Sequence, residues 1–289
     1  MIEPPSRFQS EPRRFRSGGD GVEIAVFGVV PPAGRQEPVG ARAPLLLVHG
    51  ATADHTTWRT VGPAFAATRP VFALDRRGRG ASGDATAYSI EREFEDLAAV
   101  SEGLAREHGV AAIDVAGHSY GGRCALGASL LTRAIRRAVV YEGAPVPPGS
   151  SYRPDGLVEA VRSALERGDD EGALATFLAG IVGMSEAELD AYRANPVWPA
   201  RVVAAQTILR EVEAEASAPA SLEALSRVTI PVLLLLGSTS RSPFRIGTDA
   251  LAARLVHAEV DVIEGAAHAA HHTHARDFVT AVEAFLDRP

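Results

Sequence analysis

The run Ala111-Ala112-Ile113-Asp114-Val115-Ala116 leads directly into Gly117-His118-Ser119-Tyr120-Gly121. A serine between two glycines, after a strand and before a helix, can sit on a sharp bend with its hydroxyl turned outward as a nucleophile. Side chains at 117 and 121 would obstruct the close backbone approach that such a bend needs. Tyr120 to Thr132 reads as the following helix, whose positive end would face a developing anion. Taken alone, the pentapeptide also fits a glycine-rich turn with an inert serine. Its meaning depends on what the rest of the chain supplies.

Working outward, apolar runs alternate with helical stretches. Val22 to Phe27 reads as an outer strand, and the first 16 residues as polar and loosely held. Pro31 to Pro44 reads as a loop. Leu45-Leu46-Leu47-Val48 is a continuous apolar run of the kind buried on both faces of a parallel sheet. A helix is expected over Trp58–Ala67, a strand over Pro70–Leu74, and a long helix over Ile90–His108 with Phe94, Leu97, Val100, Ser101 and Leu104 on one face. Ala138 to Tyr141 gives another strand. The order is that of a doubly wound α/β sheet. It breaks at Pro145, Pro147, Pro148, Gly149 and Pro154. Residues 156–226 then hold helix formers and no strand. Leu157, Val161 and Leu165 share one helical face, as do Leu174, Phe177, Leu178 and Ile181. The alternation resumes with a strand at Val232–Leu236, a helix over 246–256, a strand at Glu259–Ile263 and a last helix from about Thr273 to Leu286. This divides the chain into a core, 1–144 and 227–289, and a helical cap insertion, 145–226.

Composition bounds the function. The 289 residues carry a formal net charge of -7, which argues against a general affinity for nucleic acid. Ile230 to Leu236 is far too short to span a bilayer. One cysteine, Cys124, excludes an internal disulfide and a cysteine-based zinc site. The start, Met1 to Arg7, lacks the apolar segment of a signal peptide, so a cytoplasmic location without membrane attachment is expected.

A serine nucleophile needs a base, an orienting acid and oxyanion donors. Among nine histidines, His268 lies in the loop after the last strand, at the same sheet edge as Ser119 and last in chain order. His271, His272 and His274 crowd the same segment. They lack the cysteine or carboxylate partners of a persuasive metal site and read as helix-start or surface positions. His118 is expected to point away from Ser119 and support packing, and His49 to brace its turn. The orienting acid is absent from its common place, since Gly237-Ser238-Thr239-Ser240-Arg241-Ser242-Pro243 holds none. Glu142, which ends the Ala138–Tyr141 strand, is better placed than Asp249. Its rivals are a Glu142 that braces the loop into the cap, or a Ser119–His268 dyad aided by Ser240 and water. The backbone N–H groups of Ala51 and Tyr120 are the oxyanion candidates. Asp75-Arg76-Arg77-Gly78-Arg79-Gly80 reads as a tight loop stitched by ion pairs rather than as a catalytic element.

Four segments, in this order, carry a resemblance: Leu46-Leu47-Val48-His49-Gly50, Asp75 to Gly83, Gly117 to Gly122, and Gly265-Ala266-Ala267-His268. The chain resembles the α/β-hydrolase fold superfamily over nearly its whole length, in the serine-nucleophile branch with a helical cap. The resemblance implies a three-layer fold, with a mostly parallel eight-stranded sheet and the cap inserted after the sixth strand. It implies Ser119 as nucleophile, His268 as base, and Ala51 and Tyr120 as the oxyanion hole. Some lipases and dehalogenases of the superfamily carry the acid after the sixth strand, which corresponds here to Glu142.

The expected chemistry is two-step acyl transfer on an ester, thioester or lactone of a mainly apolar small molecule, without cofactor or metal. Leu, Ile and Val of the cap, with Trp198 and Met184, are expected to line the pocket or to form the cap's own core. Alternatives are a carbon–carbon bond hydrolase acting on a diketone, a cofactor-free perhydrolase, or a non-catalytic ligand-binding protein on the same scaffold. A monomer or a homodimer fits equally.

Overall fold

The structure is a computed structural model describing residues 7–32 and 42–288. The reading of residues 1–6, and of most of the Pro31–Pro44 loop, lies outside them. Eight strands form one sheet in the order β1-β2-β4-β3-β5-β6-β7-β8. They are β1 Arg13–Arg16, β2 Glu23–Gly28, β3 Leu45–Val48, β4 Val71–Leu74, β5 Ile113–His118, β6 Ile135–Tyr141, β7 Val232–Gly237 and β8 Ala258–Ile263. β1 and β2 pair antiparallel, and the rest of the sheet is parallel from β4 onward. Arg13–Arg16 is therefore not loosely held. It is the edge strand that covers β2, which moves β2 one place inward from its expected outer position.

β3, β4 and β7 are buried along their whole length, as continuous apolar runs predict. Alternate side chains of the inner strands feed two cores. Leu46, Val48, Val115, Val140 and Leu234 pack with Phe94, Leu97 and Leu126 on one face. Leu45, Leu47, Val139 and Leu235 pack with Trp58, Phe65, Phe278 and Val282 on the other. The first face is covered by α2 Ile90–Glu107 and α3 Tyr120–Ser129, and the second by α1 Gly62–Ala66. The helix expected over Trp58–Ala67 is broken into a 3-10 turn, His55–Arg59, and α1, which has proline in its first turn.

The helical region inserted between β6 and β7 holds α4 Leu157–Glu166, α5 Asp170–Phe177, α6 Glu186–Arg193, α7 Trp198–Val203, α8 Ile208–Glu215 and α9 Leu222–Leu225, the last packing into the core of the sheet through Leu222 and Leu225. It has an apolar core of its own, including Leu157, Val161, Leu174, Phe177 and Trp198. Past α5 the chain widens into a π-helical turn, Leu178–Val182, which ends at Gly183 in the left-handed region. Such single π turns often accompany sites. α10 Ser242–Ala252 begins four residues earlier than expected. The last helix, expected from about Thr273, is α12 Ala275–Leu286, preceded by one extra helical turn, α11 Ala270–Thr273. Among the described residues, no helix is long and apolar enough to cross a membrane.

Cap and core are joined by buried charge. Arg76, 1% exposed, donates to Glu93 of α2 at 2.7 Å and to Glu211 of α8 at 2.6 Å. Arg79 donates to the same Glu211 oxygen at 2.7 Å. Arg77 pairs with Asp96 and Asp20. Asp75 accepts from the His55 and Ala81 backbone N–H groups, both at 2.8 Å, and lies 2.8 Å from His55 Nδ1. The loop is stitched as its sequence predicts. Removing one member of a buried ion pair leaves its partners uncompensated, at about 3–5 kcal/mol. Arg76→Ala is therefore expected to lower the free energy of unfolding by that amount in urea titration. Normal stability with selectively lost turnover would contradict this.

Candidate active site

The parallel register brings the strand ends to one edge. Val48 pairs with Gly117, His118 with Tyr141, and Tyr141 with Leu235. The residues that follow these strands therefore emerge side by side. Three non-glycine residues among those described have positive φ: Thr52 at 58°, Ser119 at 53° and Glu142 at 51°. Each lies just beyond β3, β5 or β6. Such conformations cost roughly 1–3 kcal/mol apiece and gather where function requires them.

Ser119 sits between β5 and α3, and its side chain does not cap the helix. Its backbone is pinned instead: Ser119 N donates to Tyr141 O at 2.8 Å, and Ser119 O accepts from Gly122 N at 2.9 Å. The flanking glycines are sterically required. A Cβ on Gly121 would lie 2.4 Å from His49 O, and one on Gly117 would lie 2.4 Å from Gly121 O. The turn after β3 abuts the serine, because a Cβ on Gly50 would lie 3.0 Å from Ser119 Cβ. Ala51, next in that turn, lines the cavity that Ser119 faces. Tyr120 starts α3, where the first backbone N–H groups lack intrahelical partners. Its buried side chain turns away, with its hydroxyl 2.9 Å from that of Tyr88.

His268 Nδ1 lies 2.6 Å from Glu142 Oε2. The other carboxylate oxygen, Oε1, accepts from Gly237 N at 2.8 Å and from the Ser240 hydroxyl. The last residue of β7 and the acid-free loop after it thus supply two donors that aim the carboxylate arriving from β6. Phe244 stacks on the His268 ring at 4.4 Å. His118 Nε2 lies 2.8 Å from His268 O, and the Tyr141 hydroxyl donates to Ala267 O, fixing the histidine loop from below. His118 therefore supports packing as expected, but it does not point away from the serine: both line the same cavity wall. His49 braces its turn: Nε2 accepts from Arg76 N at 3.0 Å, which leaves Nδ1–H for Gly50 O at 2.9 Å.

The cavity measures about 430 Å³ and includes Ser119 and His268. The cap contributes Phe177, Leu178, Ile181, Val182, Met184 and Val197. Trp198 is not in the wall; it lies in the cap core against Tyr192. His271 and His272 are wall residues rather than surface positions, and His271 is only 2% exposed. Nothing in their spacing distinguished them. The turn at α11 folds them inward, where His272 Nε2 lies 3.2 Å from Thr57 Oγ1. Sequence reasoning also missed Arg59 and Arg201, which reach the same wall from core and cap.

Fold and site define the class: a doubly wound α/β protein with a serine on a strained strand-to-helix turn, facing a capped cavity. The chain belongs to the alpha/beta hydrolase family, whose profile matches residues 45–282. Solved structures agree in fold. An alpha/beta hydrolase from Sphaerobacter thermophilus is 25% identical with a TM-score of 0.74, the match covering 93% of this chain and 99% of that one. An esterase from Rhodococcus is 22% identical with a TM-score of 0.72, covering 96% and 98%. An esterase from Thermogutta terrifontis is 20% identical with a TM-score of 0.70, covering 96% and 98%. No curated protein sequence matches.

Burial, followed by the charges of Arg59 and Arg201, holds His272 down to about 4. Burial likewise pushes His118 and His271 well below the ordinary histidine value. At these histidines the folded protein binds fewer protons than the unfolded chain, for His272 between about pH 4 and 6.5. The associated stability is complete above the upper value and lost as pH falls through the lower one. His272 alone is expected to account for on the order of 3 kcal/mol of that loss. Thermal unfolding followed across this range checks it: His272→Gln should flatten the decline, and an unchanged slope contradicts it.

Proposed function

We propose that the protein is a serine hydrolase that cleaves an ester, thioester or lactone bond of a small molecule through an acyl-enzyme. The observation that carries this reading is the 2.6 Å contact between His268 Nδ1 and Glu142 Oε2 beside a cavity that also holds Ser119. Glu142 accepts the Nδ1–H, which leaves Nε2 as the free base. His268 takes the Ser119 proton as Oγ adds to the carbonyl carbon. The Ala51 and Tyr120 N–H groups receive the negative charge on the carbonyl oxygen. Collapse of the adduct expels the alcohol, thiol or ring oxygen, which leaves with the proton from His268. Water then repeats the sequence, deprotonated by His268, and releases the acid. The assignment rests on family membership, the strained serine turn and the clamped carboxylate. The likeness to esterase structures supports the same chemistry. The apolar cap residues in the wall fit an apolar part of the substrate, and residues 145–226 serve as the cap domain over a core of 1–144 and 227–289.

Ser119→Ala is expected to abolish hydrolysis of short p-nitrophenyl esters and labelling by a fluorophosphonate, with the fold unchanged by circular dichroism. Retained turnover would refute the nucleophile. Glu142→Gln is expected to lower kcat by about 10²- to 10⁴-fold, since an amide cannot hold the imidazolium charge. A near-wild-type rate removes Glu142 from the triad and leaves the dyad.

A further inference from the structure

The cavity wall has a basic half that acyl transfer does not require. Thr57 Oγ1 is its centre. It accepts from Arg201 Nη2 at 3.3 Å and lies 3.2 Å from His272 Nε2 and 3.5 Å from His271 Nε2. Thr60 Oγ1 lies 3.4 Å from His272 Nδ1. Arg59, from the same 3-10 turn as Thr57, donates to Thr56 O at 3.2 Å. Each guanidinium has five N–H donors and spends one in these bonds. Neither has a carboxylate partner among the described residues, in contrast to the buried Arg76, Arg77, Arg79 and Arg123. No Asp or Glu lines the cavity. Burial, and for His272 also the charges of Arg59 and Arg201, lowers the affinity of the nearby histidines for a proton, so they add little positive charge. A further polar atom has no protein partner: Nδ1 of the buried wall residue His271.

We propose that the substrate is an amphipathic acyl ester bearing a carboxylate, which Arg59 and Arg201 hold together while its apolar part lies against the cap side chains. This rests on the serine hydrolase reading and names its substrate class. Two half-buried, unpaired guanidinium groups in an apolar-walled cavity carry a standing desolvation cost, which a bound anion offsets. Their planar donor forks match a carboxylate. Because Arg59 belongs to the core and Arg201 to the cap, a shared anion also ties the cap to the core over the serine. The bond between Arg201 and Thr57 holds that place between turnovers.

Monoethyl adipate and ethyl hexanoate, similar in length and differing by one carboxylate, provide the test. The wild-type protein is expected to favour the anionic ester in kcat/KM by at least about tenfold, as one charge-assisted hydrogen bond allows. Arg59→Gln and Arg201→Gln should each lower the anionic-to-neutral ratio about 10- to 100-fold, mainly through KM, with partial rescue by Arg→Lys. A loss shared equally by both esters would mean that the arginines only hold the cap, and would overturn the proposal. Calorimetric titration with adipate is independent of turnover. Binding that the double glutamine variant loses supports the anion site even if no ester is cleaved, whereas no binding to the wild type overturns it. Failure of the hydrolase reading has a separate signature, the absence of fluorophosphonate labelling at Ser119.

Discussion

One buried guanidinium joins the parts on which the site depends. Arg76 leaves β4 at the carboxyl edge of the sheet, and its Nε and Nη2 donate to the carbonyl oxygens of His49 and Gly50 at 3.1 and 3.2 Å. Those carbonyls belong to the turn that presents Ala51. The same group holds Glu93 of the core and Glu211 of the cap, and it lies 4.6 Å over the Tyr120 ring. Glu211 and Glu93 raise the Arg76 pKa well above its ordinary value against the opposing effect of burial. The charge is therefore permanent. With a fixed charge below it, the turn after β3 has little freedom to move. Donors of the kind proposed for Ala51 act only if they are in place before the reaction begins.

The second constraint is backbone contact. Glycines 117 and 121 let β5, the first turn of α3 and the end of β3 approach more closely than any Cβ permits. The result is a serine held at φ 53° and presented at the sheet edge. Glu142 adopts nearly the same φ one strand over. That conformation turns its side chain toward the loops after β7 and β8, where it meets Gly237, Ser240 and His268. Strain is thus concentrated at three consecutive positions of the functional edge, and the two apolar cores on either side of the sheet hold it there.

Much of this was legible in the sequence. Apolar runs of four or more residues fixed the inner strands, because burial on both faces leaves no polar alternation. The serine turn and the late histidine follow from chain order and from small residues at set positions. The acid was legible only by elimination: the loop after β7 has none, and Glu142 ends the preceding strand. That Ser240 and Gly237 clamp Glu142, rather than assist the histidine directly, depends on where two loops meet. Arg13–Arg16 was misread because three of its four residues are arginines and one of the two inward positions is Arg13, which leaves no apolar alternation. Trp198 was placed between two roles, and its packing against Tyr192 assigns it to the cap core.

The sequence by itself determined the doubly wound sheet and the helical insertion and singled out Ser119, His268 and Glu142 as the candidates for the site, since periodicity, glycine placement and chain order are properties of the sequence. Tertiary structure decided which wall each remaining side chain joins. Arg59 and Arg201 are 142 positions apart and line one cavity only because the cap lies over the core. The charge of a cavity is a sum over distant segments, and no local pattern in the chain records it.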